Sequence, residues 1–149
     1  VIFLKQIGKN EIFIVAVFSW FIAQVIKVVN TFIAEGRIDF TRFVGSGGMP
    51  SSHASFVMGL STAVGLKHGW DSTYFAMSIA FSIVIMYDAA GVRRAVGKQA
   101  IILNKMIEDI HRRKEKKLTE KRLKELIGHT PVEVFAGAIL GIVLANLMI

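Results

Sequence analysis

The sequence predicts an all-α membrane protein, a bundle of about four spanning helices with a cytoplasmic helical extension between the third and the fourth. Three observations carry that prediction. The 149 residues are 53% hydrophobic with a mean hydropathy of +0.53, too apolar for a soluble domain of this size. The apolar residues fall into four stretches. The lysines and arginines gather in the segments on one side of that four-span arrangement. The length suits one compact unit, so residues 1–149 are read as a single membrane-embedded domain.

The first stretch, about Ile12–Ala34, exceeds the roughly 20 residues that a spanning helix needs. No cleavable signal peptide is recognisable, so this segment is expected to be retained. The second, Ser51–Leu66, has only 16 residues. Either Lys67 and His68 complete it by snorkelling, or its N-terminal end opens into a polar cavity below the bilayer surface. We read the cavity, because a glycine turn and two serines precede it. The third and fourth stretches, about Ser72–Val92 and Pro131–Ile149, are of spanning length.

Past the third stretch, Ile102, Met106 and Ile110, with Leu103 and Ile107 beside them, keep helical spacing, so the helix is expected to run on to about Arg113. A short helix then fits Thr119–Ile127, with Thr119 as cap and Gly128 as stop. Between them, His111-Arg112-Arg113-Lys114-Glu115-Lys116-Lys117 reads as a solvated turn near anionic headgroups. A pI near 9.9 also raises nucleic acid as a partner. The basic run lies between two spans with no aromatic residue interleaved, so none is expected.

Charge sets the orientation. Arg37, Arg42 and twelve lysines and arginines in Arg93–Gly128 lie on one side, against Lys5, Lys9 and Lys67 on the other. Positive residues collect in the cytoplasm, so the glycine turn and the basic segment are placed there and both termini outside. The expected location is integral to a cell or plastid-type membrane. There are no cysteines, which removes disulfides, thiol catalysis and cysteine-bound metal.

Two short motifs carry the chemistry. Gly47-Gly48-Met49-Pro50-Ser51-Ser52-His53 reads as a glycine bend entering a helix, with Pro50 expected at the first helical position. The N–H groups of Ser51, Ser52 and His53 would point along the positive end of the helix dipole, a setting that suits phosphate. An ordinary turn and cap would look the same. The second motif, Gly128-His129-Thr130-Pro131-Val132-Glu133, reads as a capping box with Thr130 as cap and Glu133 at the third helical position. It also sets Glu133 four residues from His129, where a carboxylate fixes the imidazole tautomer. Lys27, Asp88, Arg93 and Arg94 complete the candidate set: the three cations neutralise a phosphoryl group, and Asp88 holds one of them. Against this, Lys27 has the commoner option of snorkelling, and the arginines that of merely flanking a span.

These motifs, with Tyr87-Asp88-Ala89-Ala90-Gly91-Val92-Arg93-Arg94 and Gln99-Ala100 followed by Leu103-Asn104, resemble the divergent phosphatidic-acid-phosphatase family of acid phosphatase and vanadium haloperoxidase-related membrane proteins. The likeness covers nearly the whole chain. It implies that His129 is the nucleophile, forming a phosphohistidine, that Glu133 orients it, and that His53 is the general acid for the leaving alcohol. Lys27, Arg93 and Arg94 would bind phosphate, with Gly48, Ser51, Ser52 and Asp88 around them. The chain departs from the wider superfamily in having Pro-Ser-Ser-His for Pro-Ser-Gly-His and Glu133 for an aspartate. No Arg-Pro follows Lys27, and 34 residues separate Arg94 from His129. Which of Arg93, Arg94, Arg37 and Arg42 is the main phosphate ligand is left open.

The expected function is a metal-independent and cofactor-free lipid phosphate phosphatase. The inferred cytoplasmic face favours phosphatidylglycerophosphate or phosphatidic acid as substrate. The alternative is a non-catalytic membrane protein that binds an anion or lipid headgroup, or a small-solute transporter. A metal site from His53, Asp88, His129 and Glu133 lacks a tight ligand pair to anchor it. Gly137 and Gly141 form a small-residue motif that serves either internal packing or association into a homo-oligomer.

Overall fold

The computed structural model describes residues 2–36, 48–114 and 129–149. The expected short helix at 119–127, together with Arg37, Arg42, Gly47, Gly128 and residues 115–117 of the charge run, lies outside them. Among the described residues six helices follow in order: α1 (Ile2–Ile7), α2 (Glu11–Glu35), α3 (Ser52–His68), α4 (Thr73–Ala90), α5 (Val92–Lys114) and α6 (Pro131–Met148). The four apolar stretches are α2, α3, α4 and α6, each matched to within two residues at either end. The helical membrane bundle is therefore as the sequence predicts.

Local chemistry sets the boundaries. Asn10 caps α2 by accepting from the Phe13 N–H at 3.1 Å, and Gly36 ends it at φ 66, returning its N–H to Phe32 O. Ser72 caps α4 through the Phe75 N–H at 3.2 Å. Thr130 and Glu133 form the expected capping box at the start of α6. The helix expected to run on from the third span to about Arg113 does so with a bend at Gly91, whose N–H still bonds Tyr87 O at 2.8 Å while its carbonyl accepts from Ala95 N at 2.9 Å. Beyond it α5 continues to Lys114.

Among the described residues, three helical runs are long and apolar enough to cross a membrane: Glu11–Ala34, Thr73–Glu108 and Pro131–Met148. The 17-residue α3 is the marginal fourth, about 26 Å long. It is also the centre. Nine of its residues are buried, against two in α4, because α2, α4 and α6 all pack on it. Its small residues allow that approach. A Cβ on Gly137 would meet Ser51 O at 2.2 Å, and one on Gly141 would meet Ser55 O at 2.4 Å. Gly137 and Gly141 thus serve internal packing of α6 on α3. Serines tie the remaining neighbours: Ser55 Oγ donates to Ser19 O at 2.9 Å, and Ser61 and Ser82 share a hydrogen bond of 2.7 Å.

Candidate active site

Four helix ends or turns converge at the N-terminal end of α3. Ser51, not Pro50, caps that helix, accepting from the Ala54 N–H at 3.3 Å. Pro50 therefore precedes the cap instead of filling the first helical position. The Ser51 N–H is also spoken for, donating to Glu133 O at 2.9 Å. Ser51 thereby fastens the start of α3 to the first turn of α6. Ser52 and His53 follow as the first two residues of the helix, with their N–H groups at its positive end. Gly48 turns the chain at φ 84, a conformation suited to glycine.

The same end of the bundle receives α4. The His129 N–H donates to Ala89 O at 3.1 Å, and Ala54, Ala89 and Val134 form the apolar floor below. The tether fixes the backbone at His129, whose side chain is 1% exposed. Its Nδ1 lies 3.1 Å from Glu133 Oε2. A carboxylate only accepts, so Nδ1 carries the proton, and in the neutral ring Nε2 presents a lone pair. Nε2 faces His53 Nδ1 at 3.4 Å, the two rings edge to face with centroids 5.6 Å apart. The same Glu133 oxygen also accepts from the Thr130 N–H at 3.0 Å. A single atom thus does both the capping and the orienting that the sequence gives this residue.

Lys27 turns inward rather than snorkelling. It is 3% exposed, and Nζ donates to Ser52 Oγ at 3.1 Å, with the Glu133 carboxylate as an electrostatic partner. From Lys27 to the end of α2 at Glu35 is eight residues, about 12 Å, so the site is recessed below the end of that helix. One turn further along, Asn30 Nδ2 donates to Met49 O at 3.0 Å. Asn30 was missed in the sequence. Its spacing from Lys27 places both on one face, and together they hold the two ends of the Gly48–Ser52 turn against α2.

The structure therefore brings Lys27, Gly48, Ser51, Ser52, His53, His129 and Glu133 to one place. Asp88 is half-buried in the last turn of α4, next in sequence to the carbonyl that anchors His129. Arg93 and Arg94 occupy the first turn of α5 by their backbone, and their side chains lie outside the described set. Among the described residues no cluster of histidine and carboxylate side chains is arranged to hold a metal ion.

Residues 8–144 match the Divergent PAP2 family, a span that contains every group just described. The chain belongs to that family. It is also 46% identical over 131 residues to the uncharacterized membrane protein YuiD of Bacillus subtilis (strain 168), covering 82% of this chain and 83% of YuiD. No solved structure matches it. The family's description relates the chain to phosphatases, and the name of the Bacillus relative agrees with the apolar helices in placing such chains in a membrane.

Proposed function

We propose that this protein is an integral membrane phosphatase that hydrolyses a lipid phosphomonoester through a phosphohistidine at His129. The observation that carries the reading is the line Glu133 Oε2, His129 Nδ1, His129 Nε2, His53 Nδ1, with gaps of 3.1 and 3.4 Å across its two hydrogen-bonding steps. It supplies a nucleophile, its orienting carboxylate and a second titratable group on the nucleophile's open side.

In the forward step His129 Nε2 bonds to phosphorus as the ester P–O bond breaks, and the leaving alkoxide takes a proton from His53. Water then attacks the phosphohistidine, giving its proton to His53, and the N–P bond breaks to release inorganic phosphate. Lys27 and the N–H groups of Ser52 and His53 stabilise the phosphoryl oxygens, aided by Arg93 or Arg94. Attack requires phosphorus about 3–3.5 Å from Nε2, the distance His53 now occupies. His53 must swing away as substrate binds, which brings it from the nucleophile to the leaving oxygen. The positive-inside count supports a cytoplasmic site and substrates made on that face, phosphatidic acid and phosphatidylglycerophosphate among them.

The near-complete burial of His129 favours a second reading, a non-catalytic binder of lipid headgroups. Phosphate release from a panel of lipid phosphates, with and without a chelator, separates the two. Chelator-resistant release supports the histidine mechanism. Release abolished by chelator points to a metal, and no release across the panel supports the binder.

A further inference from the structure

Directly beside His53 lies a cavity of about 280 Å³ lined by Trp20, His53, Phe56, Val57 and Ile85. It sits on α3 between the flanking helices α2 and α4, and its wall is almost wholly apolar. Its depth follows from the helix register. Lys27 is tied to Ser52, next to His53, and Trp20 is seven residues earlier on α2, about 10 Å further into the bundle. The volume equals that of about nine liquid waters, and so suits a hydrocarbon chain of similar bulk. Trp20 is 37% exposed, so the cavity opens sideways toward the lipid-facing surface rather than toward water.

We propose that this cavity receives the hydrocarbon of the leaving alcohol, and that the preferred substrate is a phosphomonoester of a simple aliphatic alcohol, alkyl or isoprenoid. The proposal rests on the reading of His53 as the group beside the leaving oxygen. With Nε2 of His129 attacking in line, the leaving oxygen departs on the far side of phosphorus, where His53 donates its proton. Phosphorus at about 3–3.5 Å from Nε2 takes the place the His53 ring now holds, so the carbon attached to the leaving oxygen is directed into the cavity that this ring borders. A diacylglycerol or glycerol leaving group brings ester or hydroxyl oxygens within a few bonds of the phosphate. The wall offers them only the His53 imidazole and the Trp20 indole N–H, so most of the hydrogen bonds they lose from water go unreplaced. An unbroken hydrocarbon loses none. The inference narrows the substrate class away from the glycerophospholipid phosphates that the membrane face alone favours.

The test uses the full chain in detergent. Phosphate release is compared for decyl phosphate, butyl phosphate and dioctanoyl phosphatidic acid, with an activated aryl phosphate as reference. The expected result is a kcat/KM for decyl phosphate at least tenfold above the other two lipid-type esters, and a decyl-to-butyl ratio that falls toward one in Ile85→Phe, which fills the cavity. Equal rates for the decyl and dioctanoyl substrates, or a ratio unmoved by Ile85→Phe, overturn the proposal. If none of the four substrates is hydrolysed, the phosphatase reading fails, and binding alone decides the cavity. The chain has two tryptophans, Trp20 and Trp70, so Trp70→Phe leaves Trp20 as the sole emitter. Saturable quenching of its fluorescence by a decylphosphonate brominated at the chain end, reduced at least fivefold by Ile85→Phe, supports the hydrocarbon site; no quenching removes it.

Discussion

Glu133 Oε2 lies 3.1 Å from His129 Nδ1 while the same oxygen holds the Thr130 N–H at 3.0 Å, so the cap of α6 and the orientation of the buried imidazole depend on one atom. The two roles come apart by substitution. Glu133→Gln keeps an acceptor for Thr130 but lacks the charge that stabilises His129 as it becomes phosphorylated. Thermal stability should change little, while turnover falls about 10²-fold or more, within the range of a lost acid–base partner. Glu133→Ala should also cost about 1 kcal/mol as the cap is lost. Full activity in Glu133→Gln, measured beside its melting curve, would leave the carboxylate as a cap alone.

The two histidines should fail differently. His53→Ala should lower hydrolysis of an aliphatic phosphate about 10²–10⁴-fold, yet spare far more activity toward an aryl phosphate, whose leaving group needs little protonation. His129→Ala should abolish both. Equal losses in the two variants on both substrates would remove the division of labour.

The pH profile carries the same assignment. His129 has to be neutral to attack, so activity rises as it loses a proton. His53 has to be protonated to donate, so activity falls again as pH climbs past its titration. The aliphatic substrate should therefore show a bell in kcat/KM, its two limbs belonging to the coupled pair. The aryl substrate should lose the alkaline limb. An alkaline limb of unchanged depth for both substrates would speak against His53 as the donor.

Packing at Gly137 supports the site from below. A Cβ there meets the Ser51 carbonyl at 2.2 Å and Ala54 Cβ at 3.1 Å, backbone and buried side chain that have no room to yield. Gly137→Ala should push α6 from α3 at a cost of about 1–3 kcal/mol, and it should shift the Glu133–Ser51 tether with it. A variant with unchanged melting temperature and activity would contradict the close approach.

Orientation is open to reporters. A tag after Ile149 should face outside and one inserted near Lys116 should face the cytoplasm, as the distribution of lysine and arginine requires. A cytoplasmic C-terminus would overturn the four-span topology.

Much of the bundle was legible because membrane spans are written in long apolar runs and caps in single residues, as at Thr130 with Glu133. The bend at Gly91 was not, since a lone glycine in a helical pattern leaves the hydrogen bonds through it unbroken as often as not. The fate of Lys27 turned on a partner 25 residues away, Ser52 Oγ, which no local pattern announces. The same holds for the contact of His53 with His129 across 76 positions: charge put both on one face and the family resemblance gave each a role, but neither announced the contact. Asn30 escaped notice because an asparagine near a helix end has many ordinary uses, and only the position of Met49 O gives it one here. The role of Gly137 and Gly141 stayed divided between packing and association until the backbone of α3 was seen against them.

The central claim is the covalent bond at His129, and trapping it is the most direct test. The protein is mixed with an activated aryl phosphate, whose good leaving group makes breakdown of the phosphoenzyme the slower step, and quenched in alkali within milliseconds, since phosphohistidine survives base. Peptide mass analysis should find one phosphoryl group on the fragment that carries His129, absent from His129→Ala. Continued turnover with that fragment unmodified, or a phosphoryl group still trapped in His129→Ala, would contradict the account.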